Sequence, residues 1–459
     1  MSSMTEYEGM KVTIMGLGLH GGGLASARFF IEEGAEVTVT DLRDEKILGP
    51  SIRKLASFPV RFVLGRHEMS DFSKADIVVK NPAVPASSPY LKAAARVESD
   101  ISIFLRHNNR PIIAVTGSKG KSTVVSAMFH AIQLRYPEAR LGGNITVSPL
   151  TFIDECRAES AAPVILELSS WQLADLRGKR LLKPAVSLIT NIMHDHQNSY
   201  DSMEAYVADK KIIYADQTKE AYTVINGDDP WSAEFASETP AKSIPFFRDE
   251  GSARGISAWL AEDGSGWYRD ASGEEEILPA HIAICGEHNR LNLLSAALVL
   301  KLFGTAGSDV KQRLADFRGI PHRLELLTEK RQVRWYNDSA STIPEATAVA
   351  VKSFSAPLIL ITGGTDKNID FSPLESYAAV PKKMILLEGS ASDKMADILE
   401  SRNLPFSGPF ASLKEAVQCA EKEASPGDIV LFSPGATSFG MFLNEFDRGD
   451  QFRALVGSL

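Results

Sequence analysis

The chain has 459 residues, 44% hydrophobic and 23% charged, an ordinary globular mix that excludes collagen-like, low-complexity and wholly disordered classes. Its 49 basic and 58 acidic residues leave a formal net charge of −9, without the basic clustering that nucleic-acid binding needs. At about 150 residues per domain, the length implies about three domains.

The first third predicts strands at 11–15, 36–40 and 76–79. No basic-then-apolar segment precedes them, so no signal peptide is expected. The first strand runs into GLGLHGGG, which contains Gly16-x-Gly18-x-x-Gly21, and Asp41 follows twenty residues later. Strand, glycine turn, helix and acid together form a nucleotide or dinucleotide fingerprint. NAD and a sugar nucleotide both remain open, and Arg43 could hold a phosphate. An NAD-binding oxidoreductase is therefore one reading of this third.

The middle predicts strands at 112–116, 164–168, 186–192 and 223–225, with a hinge over 99–110 before them. Residues 111–123 read PIIAVTGSKGKST. A buried strand enters a glycine-rich turn, and a helix follows with Val124, Met128 and Ile132 on one face. That is the setting of a phosphate loop. Gly117 and Gly120 would let backbone N–H groups curl around phosphate oxygens. Lys121 would neutralise charge, and the Ser122 or Thr123 hydroxyl would ligate Mg²⁺. Val115 stands where the usual pattern has its first glycine, so the loop is a variant. Glu167 ends a strand, His196 follows another, and Lys210 lies 14 residues later. Carboxylate plus phosphate oxygens suit Mg²⁺. Residues 232–280 read as a variable insertion or a peripheral sheet. The most apolar stretch, 291–303, is too short to span a bilayer.

The last third predicts strands at 333–336, 358–361, 384–387 and 429–432, after a hinge at 317–323. NDSAST (337–342), GGTDKN (363–368) and FSPGATSFG (432–440) each follow a strand. With His322 and Arg323 they suggest a lobe closing over an active site. Cys156, Cys285 and Cys419 are widely spaced and match no metal or redox motif. Their sparse, odd count predicts a reducing compartment, hence a cytoplasmic protein with no membrane insertion.

TGSKGKST, ELSSWQL, NIMHDH, GEHNRLN, GIPHR, NDSAST and GGTDK, in this order and spacing, resemble the Mur ligase family over essentially the whole chain. The ends, GLGLHGGG and SPGATSFGMFLNEFDRGDQF, resemble its D-glutamate-adding member. The resemblance implies an α/β chain of three domains. A Rossmann-like domain over 1–99 would bind the UDP substrate. A P-loop ATPase-type parallel-sheet domain over 100–319 would bind ATP. A Rossmann-like domain over 320–459 would bind the amino acid.

It further implies an ATP-dependent ligase of peptidoglycan synthesis that joins glutamate to UDP-N-acetylmuramoyl-L-alanine through an acyl phosphate. By resemblance Gly18, Leu19, His20, Asp41, Arg43 and Asn144 contact the UDP substrate. Gly117, Ser118, Lys119, Gly120, Lys121, Ser122, Thr123, Asn289, Asn292, Arg323 and Asp338 contact ATP. Ser122, Glu167, His196 and Lys210 would organise Mg²⁺, two ions in the family, with Lys210 carbamylated. Lys121, Glu167, His196 and Lys210 would form the catalytic group, and Thr342, Lys367, Ser438 and Phe446 would hold glutamate. A monomer with no nucleic-acid partner is expected. The chain departs from the family pattern at His20, Asn198, Ala340 and Glu445. A relative adding L-glutamate or another amino acid is the neighbouring reading.

Overall fold

The computed structural model describes residues 6–18, 21–145, 147–193, 200, 202–284, 286–305, 307–366, 369–438 and 440–459. Three sheets form, most of their inner strands short apolar runs such as IIAVT, VILE, LILITG and IVLF. Continuous apolar runs with no polar face demand cover on both sides, which parallel strands with crossover helices supply.

In the first sheet, β1 (Lys11–Met15), β2 (Glu36–Asp41), β3 (Val60–Leu64), β4 (Ile77–Lys80) and β5 (Val97–Glu98) are all parallel, in the order β3-β2-β1-β4-β5. The order reverses at β1, which opens a crevice at the carboxyl ends of β1 and β4. The helix Gly22–Glu32 packs tightly on β1. A Cβ at Gly23 would lie 2.3 Å from the Gly16 carbonyl oxygen. The packing glycine is thus Gly23, not the motif's Gly21, which has open space around it.

The second sheet has nine strands: β6 (Ile112–Thr116), β7 (Arg140–Gly143), β8 (Val164–Glu167), β9 (Val186–Ile189), β10 (Tyr222–Asn226), β11 (Lys242–Phe247), β12 (Ser257–Leu260), β13 (Gly266–Asp270) and β14 (Gly273–Leu278). Their order is β14-β13-β12-β11-β10-β9-β6-β8-β7, parallel from β7 to β12, with β13 and β14 antiparallel at the edge. The 232–280 segment is therefore the peripheral-sheet alternative, continuous with the central sheet. The third sheet comprises β15 (Glu325–Lys330), β16 (Val333–Asn337), β17 (Leu358–Gly363), β18 (Lys383–Leu387), β19 (Phe406–Phe410) and β20 (Ile429–Phe432). It runs β15-β16-β20-β17-β18-β19, with only β15 antiparallel.

These three sheets fall into two compact units, residues 1–281 with 291–315 and residues 282–290 with 316–459. The first two sheets share one unit and one core, in which Val12, Phe30, Phe104, Ile112 and Leu166 belong to a single buried cluster. The hinge expected at 99–110 is instead a helix, Asp100–His107, with a Ser99–Ser102 capping box and Ile101, Ile103 and Phe104 buried. Its apolar positions bind the two sheets together, which a hinge cannot do. Among the described residues no helix is long and apolar enough to cross a membrane.

Candidate active site

Thr116 ends β6, and the backbone turns through Gly117 and Gly120, both at positive φ (141° and 87°), into the helix Lys121–Ile132. Such φ values suit glycine, and space demands it as well. A Cβ would lie 2.0 Å from Thr190 Oγ1 at Gly117 and 2.4 Å from Asn292 Oδ1 at Gly120.

Residues after β9 clamp the loop. Thr190 Oγ1 donates to the Lys119 carbonyl (2.6 Å), and Lys119 N donates to Asn191 Oδ1 (3.0 Å). Ser118 N donates to the Asn191 carbonyl at 2.8 Å, and Ser118 Oγ pairs with Tyr206 Oη at 3.0 Å. In the sequence Thr190 and Asn191 fall within the strand predicted at 186–192, with no role of their own. Their signal was position, at the carboxyl end of the strand beside the loop.

Two lysines meet at this turn. Lys121 Nζ donates to the carbonyls of Gly117 (2.9 Å) and Ser118 (3.1 Å). Lys210 lies on the helix Met203–Ala215, is 1% exposed, and donates to the same Gly117 carbonyl at 2.9 Å. Glu167 ends β8 beside Val115 of β6. Its Oε1 accepts from Asn144 Nδ2 at 2.8 Å. Its Oε2 is buried and has no hydrogen-bond partner among the described residues. A buried carboxylate oxygen left without a donor is costly, and a hard divalent cation relieves that cost. Among the described residues no group of three His, Cys, Asp or Glu side chains forms a metal cluster. Mg²⁺ takes carboxylate, phosphate and water oxygens, so the open Glu167 Oε2 suits it. His196 lies outside the described residues, as do Leu19, His20 and Lys367.

In the first sheet Asp41 is 4% exposed and fully engaged. Arg43 Nε and Nη2 donate to its two oxygens at 3.0 and 2.9 Å, and Gly18 N approaches at 3.3 Å. Burial pushes this carboxyl up, but the Arg43 and backbone donors outweigh it and leave the pKa lowered. An acid occupied by arginine on both oxygens is poorly placed to take ribose hydroxyls, which weakens the dinucleotide reading.

In the second unit Asp338 lies just past β16. It accepts from Leu324 N (3.1 Å), Ser341 Oγ (2.6 Å) and Ser433 Oγ (2.7 Å). Burial dominates those donors and raises its pKa to about 6. Ser438 is buried, Thr342 is half-buried and Arg323 is exposed. Phe446 is exposed and meets the His322 ring edge-on at 5.8 Å between centroids. Asn292 lies beside Gly120 in the first unit, and Asn289 is buried on the same helix, Glu287–Leu302.

Three domain families match the chain. They are described as Mur ligase MurD-like, N-terminal domain, over residues 10–103; Mur ligase middle domain, over 115–300; and Mur ligase, glutamate ligase domain, over 322–435. The chain is 40% identical to a UDP-N-acetylmuramoylalanine–D-glutamate ligase of Treponema pallidum (strain Nichols), across 98% of both chains. It is 42% identical to the enzyme of that name from Borreliella afzelii (strain PKo), across 99% of both. In fold it resembles MurF from Acinetobacter baumannii (TM-score 0.59, 14% identity, 98% of this chain and 94% of that one). It also resembles the UDP-N-acetylmuramate-alanine ligase MurC from Thermotoga maritima (TM-score 0.57, 18% identity, 98% and 99%).

Proposed function

Because the chain belongs to the Mur ligase family, we propose that it joins D-glutamate to UDP-N-acetylmuramoyl-L-alanine at the expense of ATP, a step of peptidoglycan synthesis. The observation that carries this reading is the meeting of Lys121 and Lys210 at the Gly117 carbonyl. One lysine on the glycine-rich turn and a second, buried one beside it, able to act as a cation or, carbamylated, as a metal ligand, suit metal-assisted phosphoryl transfer, and a dehydrogenase has no use for the pair. The acceptor follows from the full-length relatives, which are named for D-glutamate addition.

A carboxylate is a poor acyl donor, because its leaving group would be oxide. Phosphorylation of the alanine carboxylate by ATP replaces that leaving group with phosphate and releases ADP. The glutamate amine attacks the acyl carbon, the tetrahedral adduct expels phosphate, and the amine loses its proton as the amide forms. The loop's backbone N–H groups and Lys121 hold the transferring phosphoryl group, so positioning and electrostatics dominate.

Ser122, Glu167, His196 and Lys210 would hold Mg²⁺, two ions in this reading. Bound there, the metal neutralises charge on the phosphoryl oxygens. Carbamylation of Lys210 would turn a buried cation into a carboxylate-like ligand. Gly117 to Thr123, Asn289, Asn292, Arg323 and Asp338 take ATP. Gly18, Leu19, His20, Arg43 and Asn144 take the UDP substrate, with Asp41 acting there through the Arg43 and Gly18 groups it holds. Thr342, Lys367, Ser438 and Phe446 take glutamate. Domains at 1–99, 100–319 and 320–459 divide these tasks in a cytoplasmic monomer. The unpaired Cys156 and Cys419 are in keeping with a reducing compartment.

Purified protein with Mg-ATP and UDP-N-acetylmuramoyl-L-alanine is expected to release phosphate when D-glutamate is added. Release with L-glutamate or another amino acid instead would transfer the reading to a relative with a different acceptor. No release with any amino acid would sink it.

A further inference from the structure

Arg448 lies in the second unit, on the helix Glu445–Gly457, and is 0% exposed. All three of its nitrogens donate to loops rather than to an acid. Nε reaches Ser339 Oγ at 3.0 Å, Nη2 the Ser339 carbonyl at 2.8 Å, and Nη1 the Ala436 carbonyl at 3.1 Å. None of these described partners is a carboxylate. Desolvation lowers the guanidinium pKa to about 10, with the charge of Glu445 acting the other way. The group still stays protonated at neutral pH.

A buried cation without a carboxylate partner is costly, and an apolar side chain would fill the space more cheaply. What the arginine joins suggests its use. Ser339 follows Asp338 and lies three residues before Thr342. Its Oγ also donates to the Glu445 carbonyl at 2.7 Å. Ala436 lies two residues before Ser438. The intervening Thr437 is bonded to Thr365 through N (3.1 Å) and Oγ1 (2.7 Å). The guanidinium thus ties together the two segments that carry Thr342 and Ser438.

We propose that Arg448 is a positioning residue of the acidic amino-acid site, clamping the Ser339 and Ala436 segments and placing a buried positive charge behind them. This rests on the D-glutamate reading above. The charge favours a dicarboxylate over neutral amino acids, and the clamp holds Thr342 and Ser438 in register to receive it.

Phosphate release is measured with the intact enzyme at saturating Mg-ATP and UDP-N-acetylmuramoyl-L-alanine, with D-glutamate varied. Arg448→Met is expected to raise KM for D-glutamate about tenfold, as loss of charge-assisted hydrogen bonds does. Arg448→Lys, which keeps the charge, is expected to raise it less. Ser339→Ala, a small buried change, should raise it about threefold. KM for ATP and for the muramoyl substrate should stay within about twofold in all three. Loss of folded enzyme lowers apparent kcat but leaves KM untouched, so a destabilised variant still reports. If Arg448→Met yields no soluble protein, the other two variants decide. An unchanged KM for D-glutamate, or equal rises for all three substrates, overturns the proposal. A wild type that releases no phosphate with D-glutamate overturns the parent reading, and this proposal with it.

Discussion

Lys210 is almost fully buried, yet its described hydrogen bond goes to a backbone carbonyl of the phosphate loop. Its Nζ also sits 4.5 Å from the centre of the Tyr206 ring. A lysine so placed can serve as a cation or, carbamylated, as a metal ligand, and the two roles respond differently to truncation. Lys210→Ala should lose at least about 100-fold in turnover. If the carbamate is the working form, acetate or formate should restore part of it. Full activity of the variant without additive would remove Lys210 from the site. The setting of Lys121 was legible in the sequence, because a strand, a glycine-rich turn and a helix are marked by contiguous residues. Lys210 was legible only through the resemblance, since nothing local marks a lysine in YVADKKIIY. Arg448 was not legible at all. An arginine on a polar, exposed-looking helix predicts a surface charge, and only the fold reveals that it is buried between two loops.

At the scale of elements, the phosphate loop depends on its neighbour across the sheet. Thr190 fills the space where Gly117 lacks a side chain. Gly117→Ala combines a disfavoured φ with a contact near 2.0 Å. It should cost about 1–3 kcal/mol of stability, and displacing the loop should lower turnover about 100-fold or more. Wild-type phosphate release by this variant would show that the loop tolerates a side chain and is not the phosphate cradle. Three of the strands that escaped sequence reading, β3, β7 and β19, share a physical cause. β7 reads RLGG and β19 reads FSGPF, so neither has an apolar run. β3, VRFVL, carries a charged residue inside a short run. All three lie at sheet edges, where one side needs no hydrogen-bonding neighbour and the sequence is freer. The supposed hinge at 99–110 failed for the opposite reason. Ile101, Ile103 and Phe104, within that stretch, mark a buried helix.

At the scale of the molecule, the first unit is held together by buried charge as well as by its apolar core. Glu98 ends β5 and receives Ser102 Oγ (2.6 Å), Lys179 Nζ (2.9 Å), Arg96 Nε (2.9 Å) and Arg106 Nη2 (2.9 Å). Lys80 at the end of β4 pairs with Asp175 at 2.7 Å. Burial works against the Glu98 carboxylate, but the donors outweigh it and bring its pKa down from 4.5 to about 2. A carboxyl lowered on folding contributes stability that is complete above about pH 4.5 and is lost as the pH falls towards 2. Glu98→Gln should therefore lower the urea midpoint of the first unit at pH 7, by an amount equivalent to about 3 kcal/mol at most. The gap from wild type should close as both are acidified through that window. A gap that persists unchanged at pH 2.5 would show that the network acts by packing alone. By itself, the sequence determined the α/β class, the strand-turn-helix around TGSKGKST and the family. Each of these depends on runs of contiguous residues. Only the tertiary structure decided that the first two sheets share a single core, that Asp41 is held by Arg43, that Thr190 and Asn191 bond the Gly117–Lys119 turn, and that Arg448 joins the Ser339 and Ala436 segments. Those facts depend on which distant residues meet and on how much water is excluded where they do, and neither is written in any local run of the chain.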